Sequence, residues 1–222
     1  MFIVFEGPDG CGKDTQLDLI EETLSLEEIK HFRLRDPGTT PIAEKIRYVL
    51  LNSEDRSQAT EFMLFMAART DLYDRHVKEQ DGLILSGRWS LSTFVYQCLL
   101  GGISWNLFRA ISEELHPRVP DILFYFDLDV DTAWERISKR PDQFTYFEKK
   151  GKDYIEQLIN GYRKAISVSN VPEDLNKKEE AGCGIAPKPV KFAKTIIQLD
   201  AKKTIEELNK EILEILRKSI LQ

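Results

Sequence analysis

Short runs of consecutive apolar residues alternate with longer stretches of helical period along the whole chain. The runs at 2–6 (FIVFE), 30–35 (KHFRLR), 82–86 (GLILS), 121–127 (DILFYFD) and 195–199 (TIIQL) read as strands. Most are nearly continuous in apolar character rather than alternating, as expected for a parallel sheet covered on both faces. After the first run, Leu17, Ile20 and Leu24 fall on one helical face. Near the end, Ile205, Leu208, Ile212 and Ile215 recur at intervals of three and four behind a Thr204 cap with Glu207 three places on. This alternation predicts a doubly wound, three-layer α/β/α fold on a five-stranded parallel sheet, with binding at the carboxyl ends of the strands. Two segments interrupt it. The polar, basic stretch 139–153 reads as a short lid, and 169–191, with three prolines and two glycines, reads as a surface insertion loop.

Composition narrows the function. The 222 residues are 42% hydrophobic, enough for one domain spanning 1–222. A net charge of −6 opposes general nucleic-acid binding, which needs a basic face to displace counterions, so any anion must be held locally. Cys11, Cys98 and Cys183 are odd in number and lack metal-ligand spacing, which points to reduced thiols and a cytoplasmic protein. The five-residue apolar run at the start lacks the length and basic lead of a signal peptide, and no stretch of about 18 apolar residues occurs, so no membrane partner is expected.

Candidate chemistry begins at "FIVFEGPDGCGKDTQ". Gly7, Gly12 and Lys13 fit G-x-x-x-x-G-K, a turn whose backbone N–H groups cradle phosphates while the lysine reaches the terminal ones. Those three positions alone arise by accident in roughly one chain in twenty of this length. Their place between an apolar strand and a helix favours a nucleotide site over a structural turn. Asp14 occupies the position where a hydroxyl normally meets Mg²⁺. A carboxylate about 4 Å from a phosphate oxygen is repelled by roughly 4 kcal/mol per charge pair at an effective dielectric of 20, and a metal between them reverses the sign.

With this loop in view, the chain resembles the thymidylate kinase (dTMP kinase) family of P-loop nucleoside monophosphate kinases over nearly its whole length. "FEGPDGCGKDTQ" is similar to the family's FEGxDGxGKTTQ, "RDPGTTPIAEKIR" to REPGGTPLGExLR, and "LFMAART" to LFxAxR. "LILSGRWSLSTFVYQ" resembles the strand and DRxxxSTxAYQ stretch, "PDILFYFDLDVDTAWERISKR" the strand and helix leading into the lid, and "IIQLDAKKTIEELNKEI" the closing strand and helix. Six ordered segments are far more specific than any one of them.

The resemblance implies transfer of a phosphoryl group from ATP to dTMP with Mg²⁺, in a homodimer. It places Gly10, Cys11, Gly12, Lys13, Asp14 and Thr15 around the ATP phosphates, with Arg140 at the start of the lid over the adenine. Asp9, Lys13 and Arg88 would carry catalysis, Asp9 also meeting the sugar 3′-hydroxyl and Arg88 clamping the acceptor phosphate. Phe65 would stack on the pyrimidine, Arg69 donate to its carbonyl, Thr93 read its edge and Tyr96 lie beneath the sugar. Arg35, Pro37 and Arg47 would line the acceptor pocket. Alone, these residues carry blander readings: Phe65 and Tyr96 as core, Arg69 and Arg88 as surface charges.

The pattern departs from the family in three places. The Asp-Arg pair has become Gly87-Arg88, the loop hydroxyl is Asp14, and the lid offers Lys149, Lys150 and Lys152 after Arg140 where relatives with a small residue at position 11 carry an arginine. The first two departures are expected to compensate, with Asp14 as the metal ligand. Two other readings stay open: a kinase of another pyrimidine deoxynucleotide such as dUMP, and a nucleotide-binding pseudokinase. The apolar stretch 94–108 is either a pairing surface or core.

Overall fold

The computed structural model describes residues 1–53, 55–139, 144–169 and 191–220. The strands are β1 (Phe2–Glu6), β2 (His31–Arg35), β3 (Leu83–Gly87), β4 (Ile122–Asp127) and β5 (Thr195–Asp200). All pair in parallel, in the order β2-β3-β1-β4-β5. Each lies within a residue or two of its apolar run.

Side chains alternate across the sheet, so neighbouring positions of one strand serve opposite layers. Ile3, Phe5 and Leu85 pack with Leu17, Ile20 and Leu24 of α1 (Lys13–Leu26) and with Leu208, Ile212 and Leu216 of α8 (Ile205–Ile220). Phe2, Val4 and Ile84 pack with Leu72, Tyr73 and Val77, where α3 (Gln58–His76) covers the other face. α2 (Pro41–Asn52) leads into α3. A short helix α4 (Ser90–Thr93) runs on as a π-helical segment, Phe94–Leu99, before α5 (Trp105–Leu115). α6 (Val130–Ser138) and α7 (Lys152–Ser169) complete the layers, and Tyr162 of α7 stacks on Tyr125 of β4 with ring centroids 5.8 Å apart.

The Thr204 cap forms as a reciprocal pair: Glu207 N donates to Thr204 Oγ1 at 3.2 Å and Thr204 N to Glu207 Oε2 at 3.0 Å. The buried stripe of α8 is Leu208, Ile212 and Leu216, while Ile205 is half exposed beside the cap. The 94–108 stretch goes mostly to the core, with Phe94, Val95, Tyr96, Cys98 and Phe108 all buried. Of the expected lid, residues 139 and 144–153 are described, and Glu148–Lys150 forms a 3-10 turn before α7. Arg140 and most of the 169–191 insertion, with Cys183, lie outside the described residues.

β1 is central, and the chain leaves it toward β2 on one side but crosses to β4 on the other. A crevice therefore opens at the carboxyl ends of β1 and β3.

Candidate active site

The loop between β1 and α1 fills one side of that crevice. Gly12 caps α1 at φ 87°, a left-handed conformation that leaves the first-turn N–H groups free toward the groove. A Cβ at Gly10 would stand 2.9 Å from the Ala133 carbonyl oxygen, so the loop can lie against α6 only with glycine there. Lys13 is 5% exposed, with Nζ 3.7 Å from Asp9 Oδ1 and 3.9 Å from Asp14 Oδ2. Gly10, Cys11, Gly12, Asp14 and Thr15 border a groove of about 410 Å³ whose far wall includes Arg136, Lys203 and Ile205. Arg136, which sequence reasoning did not single out, reaches toward the Gly10 carbonyl at 3.4 Å. The buried Cys11 thiol is pushed above its ordinary pKa by burial. It therefore serves packing rather than nucleophilic chemistry.

On the other side lies a recess of about 100 Å³. It brings together eight of the nine residues expected around the acceptor: Asp9, Pro37, Arg47, Phe65, Arg69, Arg88, Thr93 and Tyr96. Arg35 is not among them. Its guanidinium donates to Glu44 Oε1 at 2.7 Å and borders a separate groove with Asp14 and Gly87. The recess also takes in Asp36, Gln97 and Phe147, which the sequence reading passed over.

At its deep end Arg69 is 2% exposed and held on three sides. Nε donates to Asp36 Oδ2 at 2.7 Å, and Nη2 donates to Thr93 Oγ1 at 2.6 Å and the Trp89 carbonyl at 3.1 Å. Burial pushes the Asp36 carboxyl up, against the pull of the Arg69 charge. Because Asp36 accepts from the guanidinium's Nε edge, the plane is locked and the Nη1 edge is left beside Met66 Sδ at 4.0 Å. Such a fixed donor suits a neutral carbonyl acceptor.

Aromatic walls flank this floor. Phe65 and Phe147 face one another with centroids 6.3 Å apart and planes inclined 41°, and Tyr96 meets Phe147 edge-on at 5.3 Å. Phe147 is held from outside by Arg56 and Lys150, whose charges lie 5.9 Å and 5.2 Å from its ring centre. Gln97 Nε2 donates to Glu61 Oε1 at 3.1 Å, and Glu61 Oε2 accepts from Arg56 Nε at 2.9 Å, tying this wall to α3.

The mouth is built around Arg88. Its Nη2 donates to Asp9 Oδ1 at 2.6 Å, and Nη1 donates to the Gly7 carbonyl, Ser92 Oγ and Tyr162 OH at 2.9–3.0 Å. The residue sits at φ 72°, costly for a side chain other than glycine. Glu6 supports that turn from below, accepting from Trp89 N at 2.7 Å, Ser92 N at 3.1 Å and Ser92 Oγ at 2.5 Å. Burial raises the Glu6 carboxyl above its ordinary pKa, while these donors and the Arg88 charge draw it back. Asp9 Oδ1 thus stands between two cations, Lys13 from the loop and Arg88 from the end of β3, at the junction of groove and recess.

The chain is similar to known proteins. A family model described as thymidylate kinase matches residues 5–181. The thymidylate kinase of Fervidobacterium nodosum is 29% identical over 219 residues, covering 97% of this chain and 98% of its own. That of Thermosipho melanesiensis is 35% identical over 170 residues, covering 73% of this chain and 82% of its own. A crystal structure of thymidylate kinase from Ehrlichia chaffeensis has the same fold, with a TM-score of 0.68 at 21% identity over 97% of this chain and 98% of that one. A phosphate loop and an arginine-mouthed aromatic recess, meeting on one aspartate inside a match that spans most of the sequence, leave one conclusion: the chain belongs to the thymidylate kinase family.

Proposed function

We propose that the protein transfers the γ-phosphoryl group of ATP to dTMP, giving ADP and dTDP. The observation that carries this reading is Asp9, whose Oδ1 lies 3.7 Å from Lys13 Nζ and 2.6 Å from Arg88 Nη2. A donor phosphate on the loop and an acceptor phosphate at the mouth of the recess would approach end to end there.

The protein's part is positioning and charge, because phosphoryl transfer asks little covalent work of it. The N–H groups of Gly10 to Thr15 and the Lys13 ammonium hold the donor phosphates. Arg88 and Arg47 hold the acceptor phosphate, and the forked guanidinium fixes two of its oxygens at once. Pro37, Phe65 and Phe147 enclose the base, Arg69 Nη1 donates to its carbonyl, Thr93 lies at its edge and Tyr96 under the sugar. The mouth needs no base to remove a proton, since an acceptor phosphate oxygen is already anionic at neutral pH.

Magnesium fits the donor set beside the loop. The side-chain oxygens there include those of Asp14 and Thr15, and Mg²⁺ takes one or two carboxylates and completes its shell with phosphate and water. Among the described residues no three His, Cys, Asp or Glu side chains gather to hold a metal unaided, so the nucleotide would supply the other ligands. When bound, the ion would neutralise charge on the transferred group.

The same reading takes the protein as a cytoplasmic homodimer that binds neither nucleic acid nor membrane. Among the described residues no helix is long and apolar enough to cross a membrane, and Ile42, Tyr48 and Val49 of α2 and Met63 of α3 are 41–69% exposed, which supports a pairing face.

Coupled ADP release measured with dTMP, dUMP, dCMP and dGMP tests the proposal. Turnover should be greatest with dTMP and fall at least about a hundredfold in kcat for Arg88→Ala. No turnover with any of the four, or a preference for dGMP, would overturn it.

A further inference from the structure

Asp14 stands on a ridge between two grooves. One holds Gly10, Gly12 and Thr15; the other holds Gly87, Arg35 and Thr39. The Asp14 side chain is 73% exposed and meets the Lys13 ammonium only at 3.9 Å. A carboxylate so placed repels bare phosphates and favours them only when a cation lies between. Phosphate-loop folds commonly seat that cation with a hydroxyl after the loop lysine and an aspartate from a neighbouring strand. Here Asp14 stands in the place of the hydroxyl and the residue ending β3 is Gly87.

The geometry connects these two changes. A Cβ built on Gly87 would stand 3.7 Å from Asp14 Oδ1 and 3.2 Å from Leu17 Cδ1. An acid at 87 would push a second carboxylate against the first, and like charges at that range disfavour each other's ionisation. The space that an acid on β3 would fill is the space the Asp14 carboxylate borders.

We propose that Asp14 and Gly87 are an exchanged pair: Asp14 supplies a direct carboxylate ligand to the divalent cation carried on the ATP phosphates, and Gly87 stays small so that this carboxylate reaches it. The inference rests on the ATP site proposed above. It names which side of the crevice supplies the charge and explains why the end of β3 supplies none.

The test is binding of a nonhydrolysable ATP analogue to the full chain by calorimetry, in EDTA and in excess Mg²⁺. The wild type should bind more tightly with Mg²⁺. In Asp14→Asn the metal-free affinity should rise, and the gain from Mg²⁺ should shrink about tenfold or more. Asp14→Thr should lose the gain likewise, and Asp14→Thr/Gly87→Asp should regain it. An Asp14→Asn protein with an unchanged Mg²⁺ gain overturns the proposal, and so does a double variant no better than Asp14→Thr alone. Because Asp14 is exposed, Asp14→Asn decides the matter even if Gly87→Asp fails to fold. Loss of analogue binding by the wild type in both conditions would instead overturn the ATP site, a separate failure read in the same titration.

Discussion

Arg69 and Asp36 form the most deeply buried ion pair among the described residues, with side chains 2% and 0% accessible. Removing one partner of such a pair strands the other, so Asp36→Asn should cost about 3 kcal/mol of unfolding free energy in urea, and should raise KM for dTMP as Arg69 loses its alignment. His116 gives a pH signature. Its Nε2 lies 2.9 Å from Thr70 Oγ1, whose own proton goes to the Met66 carbonyl, so the neutral ring donates from Nε2. Burial, helped by the nearby Arg69 charge, lowers its pKa to about 3. The unfolded chain takes up a proton near pH 6.5 that the folded chain refuses, so stability present above that pH is lost as pH falls toward 3. The loss is about 1.4 kcal/mol per pH unit in that window, and His116→Gln should show a shallower fall in melting temperature between pH 6.5 and 4.5 than the wild type. Resemblance singled out Phe65, Arg69 and Arg88, which line one recess, but not Glu6, Asp36 or Tyr162. Their roles come from contacts across the chain, such as Tyr162 with Arg88 at a separation of 74 positions and Glu6 with Ser92 at 86, which leave no local pattern.

Elements were legible where one physical signal dominated. Strands buried on both faces, β1 and β3 above all, stand out as unbroken apolar runs, and α8 announces itself by its cap. The stretch 94–108 was ambiguous because a segment apolar nearly all round offers no polar face to orient it; the structure buries Phe94–Cys98 and Phe108 and leaves Leu107 47% exposed. The α8 stripe shifted from Ile205 to Leu216 because the capping pair holds the first turn at the surface, with Ile205 51% exposed. The segment before α7 carries Phe147 into the recess. Its hold depends on Lys150, whose ammonium lies 4.5–5.2 Å from the rings of Tyr146, Phe147 and Tyr154. Phe147→Ala should raise KM for dTMP about tenfold, the worth of one aromatic face, and leave KM for ATP unchanged. An equal rise for both substrates would mean that the segment shapes the whole crevice rather than the base pocket.

Across the whole molecule, the two helices that border the recess, α2 and α3, also carry four of the eight large apolar side chains that stand exposed among the described residues. On α2, Arg47 points into the recess and donates to the Pro37 carbonyl at 3.1 Å, while the next two residues, Tyr48 and Val49, are 69% and 41% exposed. On α3, Phe65 lines the recess and Met63, two positions earlier, is 54% exposed. One pair of helices thus serves two surfaces, and a self-complementary contact through the outer one would brace the inner one. A two-fold interface sets each residue near its own symmetry mate's surroundings, so a charge placed there is felt twice. Sedimentation should give the wild type twice the mass of one chain, and Val49→Glu/Met63→Glu should give single chains that remain folded, since both positions lie outside the core. If pairing steadies α2 and α3, the separated chains should also bind dTMP more weakly while the ATP analogue binds as before, because the phosphate loop joins β1 to α1 and no residue of α2 or α3 lines its groove. A wild type that sediments as a single chain would refute the pairing, and dimer-breaking without any change in dTMP affinity would show that the recess holds its shape alone.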